Sequence, residues 1–334
     1  MNTIPSIFNE NLPSYTAVGG EQQIDVSNVT AVILSREDRY PHRRNLEELS
    51  KEGFDRIISI ELPGSQISID EMRVKYPNVR FIFLKENVTA GEQINLAVSE
   101  ITSPLFLCLW NDLKLFQSGG ALRIAERLYS PRAGAAGEGG FKRLCTVPLL
   151  KNADFEDIPT CTLPATQKAV VKTIQVNAKN EGHPVLYPVD YIGIYDKKRF
   201  IGLGGFDTTI KNEHWQLMDF GFRSKLWGEE IAATLLLRLS YFGNTPIDDV
   251  SIDDSYRRFY LKNIAPVFHG DNANLPYRRF LPYLFTSGAD IFKAFSEFKA
   301  ARAWVKTNRF RFKTDAKTVI ALWEYEFTDT ASQA

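Results

Sequence analysis

The segment that most constrains the fold is Pro104–Phe116, which reads PLFLCLWNDLKLF. The apolar run Leu105–Leu109 stops at Trp110, Asn111 and Asp112, and hydrophobic residues then resume. A continuous apolar run of this length is typical of a strand that helices cover on both faces of a parallel sheet. Ligands in such sheets bind just beyond the carboxyl ends of the strands. We therefore predict that this polar interruption lies at the mouth of a crevice.

The polar pair after this strand offers oxygen ligands. The carboxylate of Asp112 and the amide oxygen of Asn111 are of the kind that Mg²⁺ or Mn²⁺ prefers when the ion also carries phosphates. The same two residues also fit a strand-end turn, in which their side chains accept hydrogen bonds from nearby backbone amides. The pair alone does not decide between these two interpretations, so the surrounding chain has to.

Strands and helices alternate along the first third of the chain. Apolar runs predict buried strands at Val29–Ser35, Arg56–Glu61, Val79–Leu84 and Pro104–Leu109. Apolar residues at helical spacing lie between them, most clearly in Thr89–Ile101. This alternation is typical of right-handed βαβ units, and it predicts an α/β fold built on a parallel sheet.

The chain divides into three predicted parts. Residues 1–28 are predicted to be an irregular N-terminal arm, residues 29–270 an α/β domain, and residues 271–334 a helical C-terminal extension. Within the extension, Phe292–Phe312 alternates aromatic and basic residues. This segment fits an interfacial helix on an anionic membrane. It also fits a terminal helix that packs on the sheet and leaves a basic face in water.

Composition excludes several classes of protein. Lys and Arg together number 40, as do Asp and Glu, whereas a nucleic-acid-binding protein normally carries a basic excess. The three cysteines show no CxxC spacing, which is typical of a reducing compartment. The N-terminal sequence has no signal-peptide core, and no run of 18 apolar residues occurs. We therefore predict a cytoplasmic protein, with contact at the inner face of a membrane as one interpretation.

Four stretches occur in a recognisable order between residues 29 and 270. They are VTAVILSRED, then GEQIN with the polar pair after its strand, then GIYDKKRFIGLGGFD, and finally NEHWQLMDFGFRSKLWGEEI. In order and spacing they resemble the motifs of the GT-A nucleotide-sugar glycosyltransferases, particularly those of family 2. The family motifs are a nucleotide-binding strand, a helix before an Asp-x-Asp motif, a Gly-Gly-Phe-Asp turn, and an acceptor-side helix reading Glu-Asp-x-Asp-Leu-x-x-Arg. The resemblance implies a Rossmann-like GT-A fold, with a mixed, mainly parallel sheet flanked by helices.

The resemblance also implies a reaction and a set of site residues. The implied reaction is transfer of a sugar from a nucleoside-diphosphate sugar to a glycan, a lipid-linked acceptor or another hydroxyl. It is of the inverting type, serves polysaccharide biosynthesis, and uses Mn²⁺ or Mg²⁺ as cofactor. The residues implied to bind the donor are Ser35, Arg36, Glu37, Glu61, Asn95, Trp110, Asn111 and Asp112. Those implied to hold the metal are Asp112, Asn111 and His269, and those on the acceptor side are Gly204, Gly205, Asp207 and Trp215.

The chain departs from the family pattern at its acidic positions. Trp110 stands where the first Asp of Asp-x-Asp is expected. On the acceptor-side helix, Gln216 and Leu217 replace Glu-Asp, and only Asp219 and Arg223 remain. The acceptor hydroxyl needs a general base within hydrogen-bond reach, and a carboxylate near the start of this helix can serve. We predict Asp219 as that base, one turn before Arg223, and Glu213 as the reserve candidate. The spacing of Asp219 and Arg223 also fits a simple ion pair on the helix surface.

Two other functions remain open. Gln216 and Leu217 favour a catalytically silent GT-A domain that binds a sugar nucleotide or a glycan as a scaffold. A sugar nucleotidyltransferase shares the sheet but needs a Gly-rich, Arg-containing loop after the first strand. The corresponding segment here, ILSREDRY, contains no glycine. The sequence therefore favours a glycosyltransferase, with the silent domain as the main alternative.

Overall fold

The computed structural model describes residues 12–20, 28–36, 42–54, 56–64, 69–116, 119–129, 143–167 and 170–331. The strands are β1 Tyr15–Gly19, β2 Val29–Leu34, β3 Arg56–Glu61, β4 Val79–Leu84, β5 Leu105–Trp110, β6 Leu113–Leu115, β7 Arg143–Lys151, β8 Asp157–Ile158, β9 Cys161–Gln167, β10 Val170–Val176, β11 Gly193–Asp196, β12 Glu230–Tyr241, β13 Val267–His269 and β14 Asn272–Asn274. The α-helices are α1 His42–Ser50, α2 Ile69–Lys75, α3 Ala90–Glu100, α4 Gly120–Tyr129, α5 Lys197–Leu203, α6 Glu213–Leu226, α7 Asp254–Phe259, α8 Phe280–Ser287, α9 Ile291–Asn308 and α10 Ala316–Ala331. Short 3₁₀ segments occur at Val189–Tyr191 and Tyr277–Arg279, and Tyr260–Ile264 forms a π-helix.

The main sheet has ten strands in the order β1-β4-β3-β2-β5-β11-β7-β12-β6, with β8 paired to β7. Strands β4, β3, β2 and β5 run parallel to one another, as do β7 and β12. β1, β11 and β6 join antiparallel to their neighbours. The predicted α/β class, with a mixed sheet flanked by helices, is confirmed. The alternating strands and helices of the sequence predicted the four parallel strands β2, β3, β4 and β5.

Burial explains why the central strands were readable from the sequence. Every residue of β2 and β5 is buried, and Thr30 is the one polar residue among them. Helix α3 begins at a capping box, in which the side chain of Thr89 accepts from the Glu92 amide and Glu92 accepts from the Thr89 amide. Parallel strands need a crossover of this kind, and α3 supplies the one between β4 and β5.

The structure differs from the sequence pattern in three segments. The arm predicted to be irregular contains β1, which pairs with β4. The segment Lys151–Thr166 contains two prolines, which are typical of a loop, but most of β9 lies there, because its pairing with β10 outweighs them. The segment Val185–Asp196 has the apolar character of a strand, but only its end, β11, is a strand. Two consecutive residues before β11 have positive φ angles, and a strand cannot pass through that conformation.

The helical C-terminal extension packs onto the end of α6. Trp227, which follows α6, stacks on Trp304 of α9 with 5.9 Å between ring centroids. Phe312 contacts both tryptophans edge-on. Among the described residues, we find no helix that is long and apolar enough to cross a membrane.

Candidate functional site

The carboxyl ends of β2 and β5 form the edge where the site lies. The two strands pair in register up to Leu34 opposite Trp110, so the residues after each strand meet. The Asn111 amide donates to the Leu34 carbonyl at 2.8 Å, and the Arg36 amide donates to Asn111 Oδ1 at 3.4 Å. This arrangement agrees with the predicted position of Asn111 and Asp112 at the carboxyl edge of the sheet.

Arg36 is the central cation of this edge. Its guanidinium lies 3.8 Å from the centroid of the Trp110 ring. Its Nη1 atom is 3.5 Å from Asp112 Oδ2, and its Nη2 atom donates to Asp190 Oδ1. A planar guanidinium can stack on an indole and bind carboxylates at the same time. Trp110, which stands where the resemblance implies the first Asp of Asp-x-Asp, therefore positions the Arg36 cation.

Asp190 belongs to this site, although the sequence analysis did not identify it. Its carboxylate accepts from Arg36 and, at 2.6 Å, from the Tyr241 hydroxyl, while its carbonyl accepts from Trp110 Nε1 at 2.8 Å. Burial raises the pKa of Asp190 to about 6, although the charge of Arg36 opposes that shift. Asp190 and Tyr191 have φ angles of 54° and 61°, a left-handed conformation that non-glycine residues rarely adopt. Such strain is often found at functional sites.

Two further predicted donor residues lie beside this cluster. Ser35 donates through its hydroxyl to the Ile60 carbonyl at 2.5 Å, which ties the end of β2 to β3. Glu61, the last residue of β3, is only 1% exposed and accepts from Ser59 Oγ at 2.7 Å. Glu61 is therefore a buried acid at the carboxyl edge and not a solvated loop charge. Glu37 lies outside the described residues.

Asn95 has a different role from the one predicted. Its Nδ2 donates to the Phe206 carbonyl at 2.8 Å, and its Oδ1 accepts from the Phe206 amide at 3.0 Å. The side chain is 3% exposed, and its amide group makes both of these hydrogen bonds to the backbone. Asn95 therefore joins α3 to the turn after α5, and the prediction that it binds the donor does not fit this position.

The acceptor-side residues form a tight turn and a buried aromatic group. Gly204 and Gly205 have φ angles of 92° and 66°, which a side chain would strain. Arg223 holds this turn by donating to the Leu203 and Gly205 carbonyls. Trp215 is 4% exposed, stacks on Phe259, and donates from Nε1 to a backbone carbonyl at 2.7 Å. Trp215 therefore packs in the interior and does not line a surface that an acceptor could contact.

Asp219 lies inside a buried ion cluster. Its Oδ2 accepts from Arg223 at 2.8 Å, and its Oδ1 accepts from Lys262 at 2.7 Å and from Asn263 at 2.8 Å. Lys262 also donates to Asp207 at 2.7 Å. Burial raises the pKa of Asp219, but the charges of Lys262 and Arg223 outweigh it and bring that pKa below the usual range.

This environment contradicts the prediction that Asp219 faces the crevice as a general base. The carboxylate is 0% exposed, and both oxygens already accept from cationic or amide donors. A base has to reach the hydroxyl whose proton it takes. The π-helix explains the cluster, because it carries both Lys262 and Asn263 toward Asp219. Asp207 belongs to the same cluster and also accepts from Arg258 at 3.0 Å.

His269 lies outside the main sheet, in the two-stranded sheet of β13 and β14. It is exposed and stands at the end of β13, in a hairpin whose other strand, β14, packs on α9. The residue opposite it in the hairpin is Asn272. Asp112 instead faces Arg36 beside the end of β2. The position of His269 therefore gives no support to its predicted role as a third metal ligand.

Gln216 connects the start of α6 to the start of α3. Its Oε1 accepts from the Gly91 amide at 3.1 Å and from the Tyr191 hydroxyl at 2.9 Å. Its Nε2 donates to Thr89 Oγ1 and to two backbone carbonyls. Glu213 adds a second connection, because its Oε1 accepts from the Ala90 amide at 3.0 Å. Gln216, which stands where the resemblance implies an acid, is therefore a buried connector, and it accepts from Tyr191, the residue after Asp190.

We expect Gly91→Ala to destabilise the protein by about 1–3 kcal/mol, because a Cβ atom there overpacks this connection. That atom would lie 2.3 Å from Gln216 Oε1 and 2.7 Å from Phe206 Cβ. Gly202, in α5, is the matched control, since a Cβ atom there meets nothing within 4 Å. Gly202→Ala should stabilise by roughly 0.5–1 kcal/mol. Urea unfolding measures both changes, and equal effects of the two substitutions would contradict the role of Gly91.

Comparison with solved structures finds the same architecture in GalNAc-T7. The crystal structure of GalNAc-T7 with UDP, GalNAc and Mn²⁺ is similar with a TM-score of 0.59 at 13% identity, over 90% of this chain and 58% of that chain. Staphylococcus aureus TarS 1–349 in complex with UDP-GlcNAc matches with a TM-score of 0.47 at 14% identity, over 84% of this chain and 74% of that one. The mannosyltransferase PcManGT from Pyrobaculum calidifontis, in complex with GDP-Man and Mn²⁺, matches with a TM-score of 0.43 at 9% identity, over 85% and 73%.

No protein-family model and no curated protein sequence matches the chain. The chain spans 58% of the GalNAc-T7 chain, so the likeness covers part of that protein. At 13% identity it establishes the architecture alone. The order of the sheet, with the polar residues at the carboxyl ends of β2 and β5, agrees with that architecture. The chain has the fold of the GT-A nucleotide-sugar glycosyltransferases.

Proposed function

We propose that this protein is a glycosyltransferase that moves a sugar from a nucleoside-diphosphate sugar to a hydroxyl of a glycan or a lipid-linked acceptor. One observation carries the proposal. The carboxylates of Asp112 and Asp190 converge on one cation, Arg36, at the carboxyl ends of β2 and β5. In an α/β sheet this edge is where a nucleotide binds. The GalNAc-T7 structure, which has the same fold, is one with UDP, GalNAc and Mn²⁺, and this supports the choice of donor.

The residues of this edge suit a divalent metal ion. Asp112 and Asp190 both present carboxylate oxygens to the same positive charge, and hard cations such as Mg²⁺ and Mn²⁺ prefer oxygen ligands. Among the described residues, no group of three or more His, Cys, Asp or Glu could hold a metal ion. Two protein carboxylates are enough for Mg²⁺ when phosphates and water complete its shell. When bound, the ion would supply neutralisation of charge on the leaving diphosphate.

Two residues of the chain, Arg36 and Glu213, would then act on the donor and on the acceptor. Arg36 would turn from Asp190 toward the diphosphate and stabilise the negative charge that develops there as the bond between the anomeric carbon and the phosphate oxygen breaks. Glu213 would accept the proton of the acceptor hydroxyl as its oxygen attacks the anomeric carbon, which gives an inverting reaction. We choose Glu213 because it is exposed, is oriented by the Ala90 amide, and adjoins Tyr191 through a hydrogen bond to its own carbonyl. Asp219, which is buried, has no role in this scheme beyond holding α6.

Titration with UDP-, GDP- and TDP-sugars, with and without Mn²⁺, tests the proposal. We expect one nucleotide to bind at least about tenfold more tightly when Mn²⁺ is present, because the ion balances the negative charges of Asp112, Asp190 and the diphosphate. The same samples should release free nucleotide as the donor is transferred or hydrolysed. Glu213→Gln should keep donor binding and lose that release.

Three other outcomes would change the conclusion. Donor binding without any release of nucleotide, in the presence of candidate acceptors, would favour the catalytically silent domain. That reading draws on Gln216, which is a buried connector at a position where the family has an acid. Failure of every nucleotide sugar to bind would refute the transferase and leave only a silent domain that binds a glycan. Full turnover by Glu213→Gln would refute the assignment of the base and leave the donor site intact.

A further inference from the structure

Helix α9 presents one continuous outer face to solvent. At about 100° per residue, Phe292, Phe295, Lys299, Arg302 and Lys306 fall within an arc of about 80°. The residues that α9 buries, Ala294, Phe298, Ala301 and Val305, fall within a separate arc of about 60°, whose centre is about 110° away. The acids of this helix make other contacts: Asp290 caps the first turn, and Glu297 accepts from Arg257 and Tyr283. The outer face therefore carries aromatic and basic side chains and no carboxylate.

The first end of this face is apolar. Phe292 is 85% exposed and Phe295 is 51% exposed. Phe285 and Leu281 of the preceding helix α8 are 83% and 60% exposed, and the two helices pack through Phe280 and Phe295 with 5.6 Å between ring centroids. We call Leu281, Phe285, Ile291, Phe292 and Phe295 the apolar tip. Contiguous exposed side chains of this size mark a surface that binds another apolar phase.

The other end of the face is basic and contains a cavity. The cavity has a volume of about 200 Å³ and is lined by Asn272, Ala273, Asn274, Arg302, Lys306 and Arg309. Its lining has three cationic side chains and two amides, and no carboxylate. Arg302 is fixed there by its bond to the Leu275 carbonyl at 3.1 Å and by the ring of Tyr277 at 4.1 Å. Such a lining suits a phosphate group.

We propose that α8 and α9 bind an anionic membrane surface, with the apolar tip inserted at the interface and the basic cavity on a lipid phosphate. The two ends are about 14 residues apart on α9, or roughly 21 Å, so the helix can lie flat with both in contact. Charge favours lipid over a second copy of the chain, because two basic faces repel each other whereas an anionic leaflet attracts them. The proposal concerns docking and does not depend on sugar transfer.

Sedimentation with vesicles tests this surface on the full chain. We expect the protein to bind phosphatidylcholine vesicles that contain phosphatidylglycerol, and to bind pure phosphatidylcholine vesicles at least tenfold more weakly. Phe285→Ser combined with Phe292→Ser should lower the affinity about a hundredfold, since each buried Phe contributes strongly. Lys299→Gln combined with Lys306→Gln should lower it about tenfold and reduce its dependence on salt. Ile247→Ser, at a side chain 97% exposed in the loop after β12, is the control and should bind as the wild type does.

Three results would overturn the proposal. The first is no binding to anionic vesicles at low salt. The second is equal loss of binding in Ile247→Ser and in the double Phe variant, which would make the effect non-specific. The third is a dimer in light scattering that the double Phe variant abolishes, together with no vesicle binding, which would assign the surface to a second copy. Inorganic phosphate at matched ionic strength tests the cavity itself: release beyond that caused by chloride is expected if the cavity holds a lipid phosphate, and release equal to that caused by chloride would remove the cavity from the contact.

Discussion

Asp219→Ala will lower the free energy of unfolding by about 3–5 kcal/mol, because it leaves buried cations without their partner. Arg223 and Lys262 are each 3% exposed, and Asp219 accepts from both. Urea unfolding followed by circular dichroism measures the change. Asp157→Ala is the control, since Asp157 pairs with Lys151 at 2.7 Å but its side chain is 64% exposed. That substitution should cost less than about 1 kcal/mol.

The pH dependence of stability provides a second sign of the same cluster. Asp219 has a pKa below that of an unfolded aspartate, because Lys262 and Arg223 outweigh the cost of burial. A lowered pKa in the folded state contributes stability at neutral pH that is lost as the pH falls through the folded pKa. Asp219→Ala should therefore lose part of the wild type's acid sensitivity. A variant as stable as the wild type that only loses sugar transfer would instead restore Asp219 as the base.

The second large effect concerns the donor. Asp112→Ala will weaken the Mn²⁺-dependent binding of the nucleotide sugar by about a hundredfold, since removing one buried partner of a charge pair costs roughly 2–5 kcal/mol. Asp112 is 3% exposed and its Oδ2 lies 3.5 Å from Arg36 Nη1. Isothermal titration calorimetry with and without Mn²⁺ measures the effect. Binding does not need turnover, so the experiment is informative even if the protein has no catalytic activity.

Two controls make this experiment specific. Without Mn²⁺, the wild type and Asp112→Ala should bind the donor with similar, weak affinities, because the proposed ion is then missing from both. Asp157→Ala, an acid of β8 outside the site, should bind as the wild type does in both conditions. Unchanged Mn²⁺-dependent binding in Asp112→Ala would remove this residue, and the carboxyl edge of β5 with it, from the donor site.

The parallel half of the fold was predictable because burial on both faces leaves a local signature. All six residues of β5 are buried, so the apolar run itself indicates the strand. The same run ends at Trp110, and its end marks the edge of the sheet where the polar residues lie. Helix α3 was likewise predictable from its apolar period. In contrast, β9 depends on its pairing with β10, and its own residues, CTLPATQ, show no such period.

The composition of the site was less predictable, because its partners are far apart in the chain. Asp190 meets Arg36 across 154 positions and Tyr241 across 51. The segment around it, YPVDYIGIY, has the apolar character of a strand, and that pattern concealed the turn. Asp219 shows the converse error. Its neighbour at i+4, Arg223, was visible in the sequence, but Lys262 lies 43 positions away on a π-helix and converts an apparent surface pair into a buried cluster.

The left-handed backbone of Asp190 and Tyr191 is strained. Each residue held in that region costs about 1–3 kcal/mol, which the surrounding hydrogen bonds have to offset. Trp110 Nε1 binds the Asp190 carbonyl, and Tyr195 binds the Tyr191 carbonyl at 2.7 Å. Glycine would relax this backbone but would remove the carboxylate that faces Arg36. Loss of Asp190 would relieve that strain but would also take one carboxylate from the buried Arg36, so the strained backbone and the ion pair have to be kept or lost together.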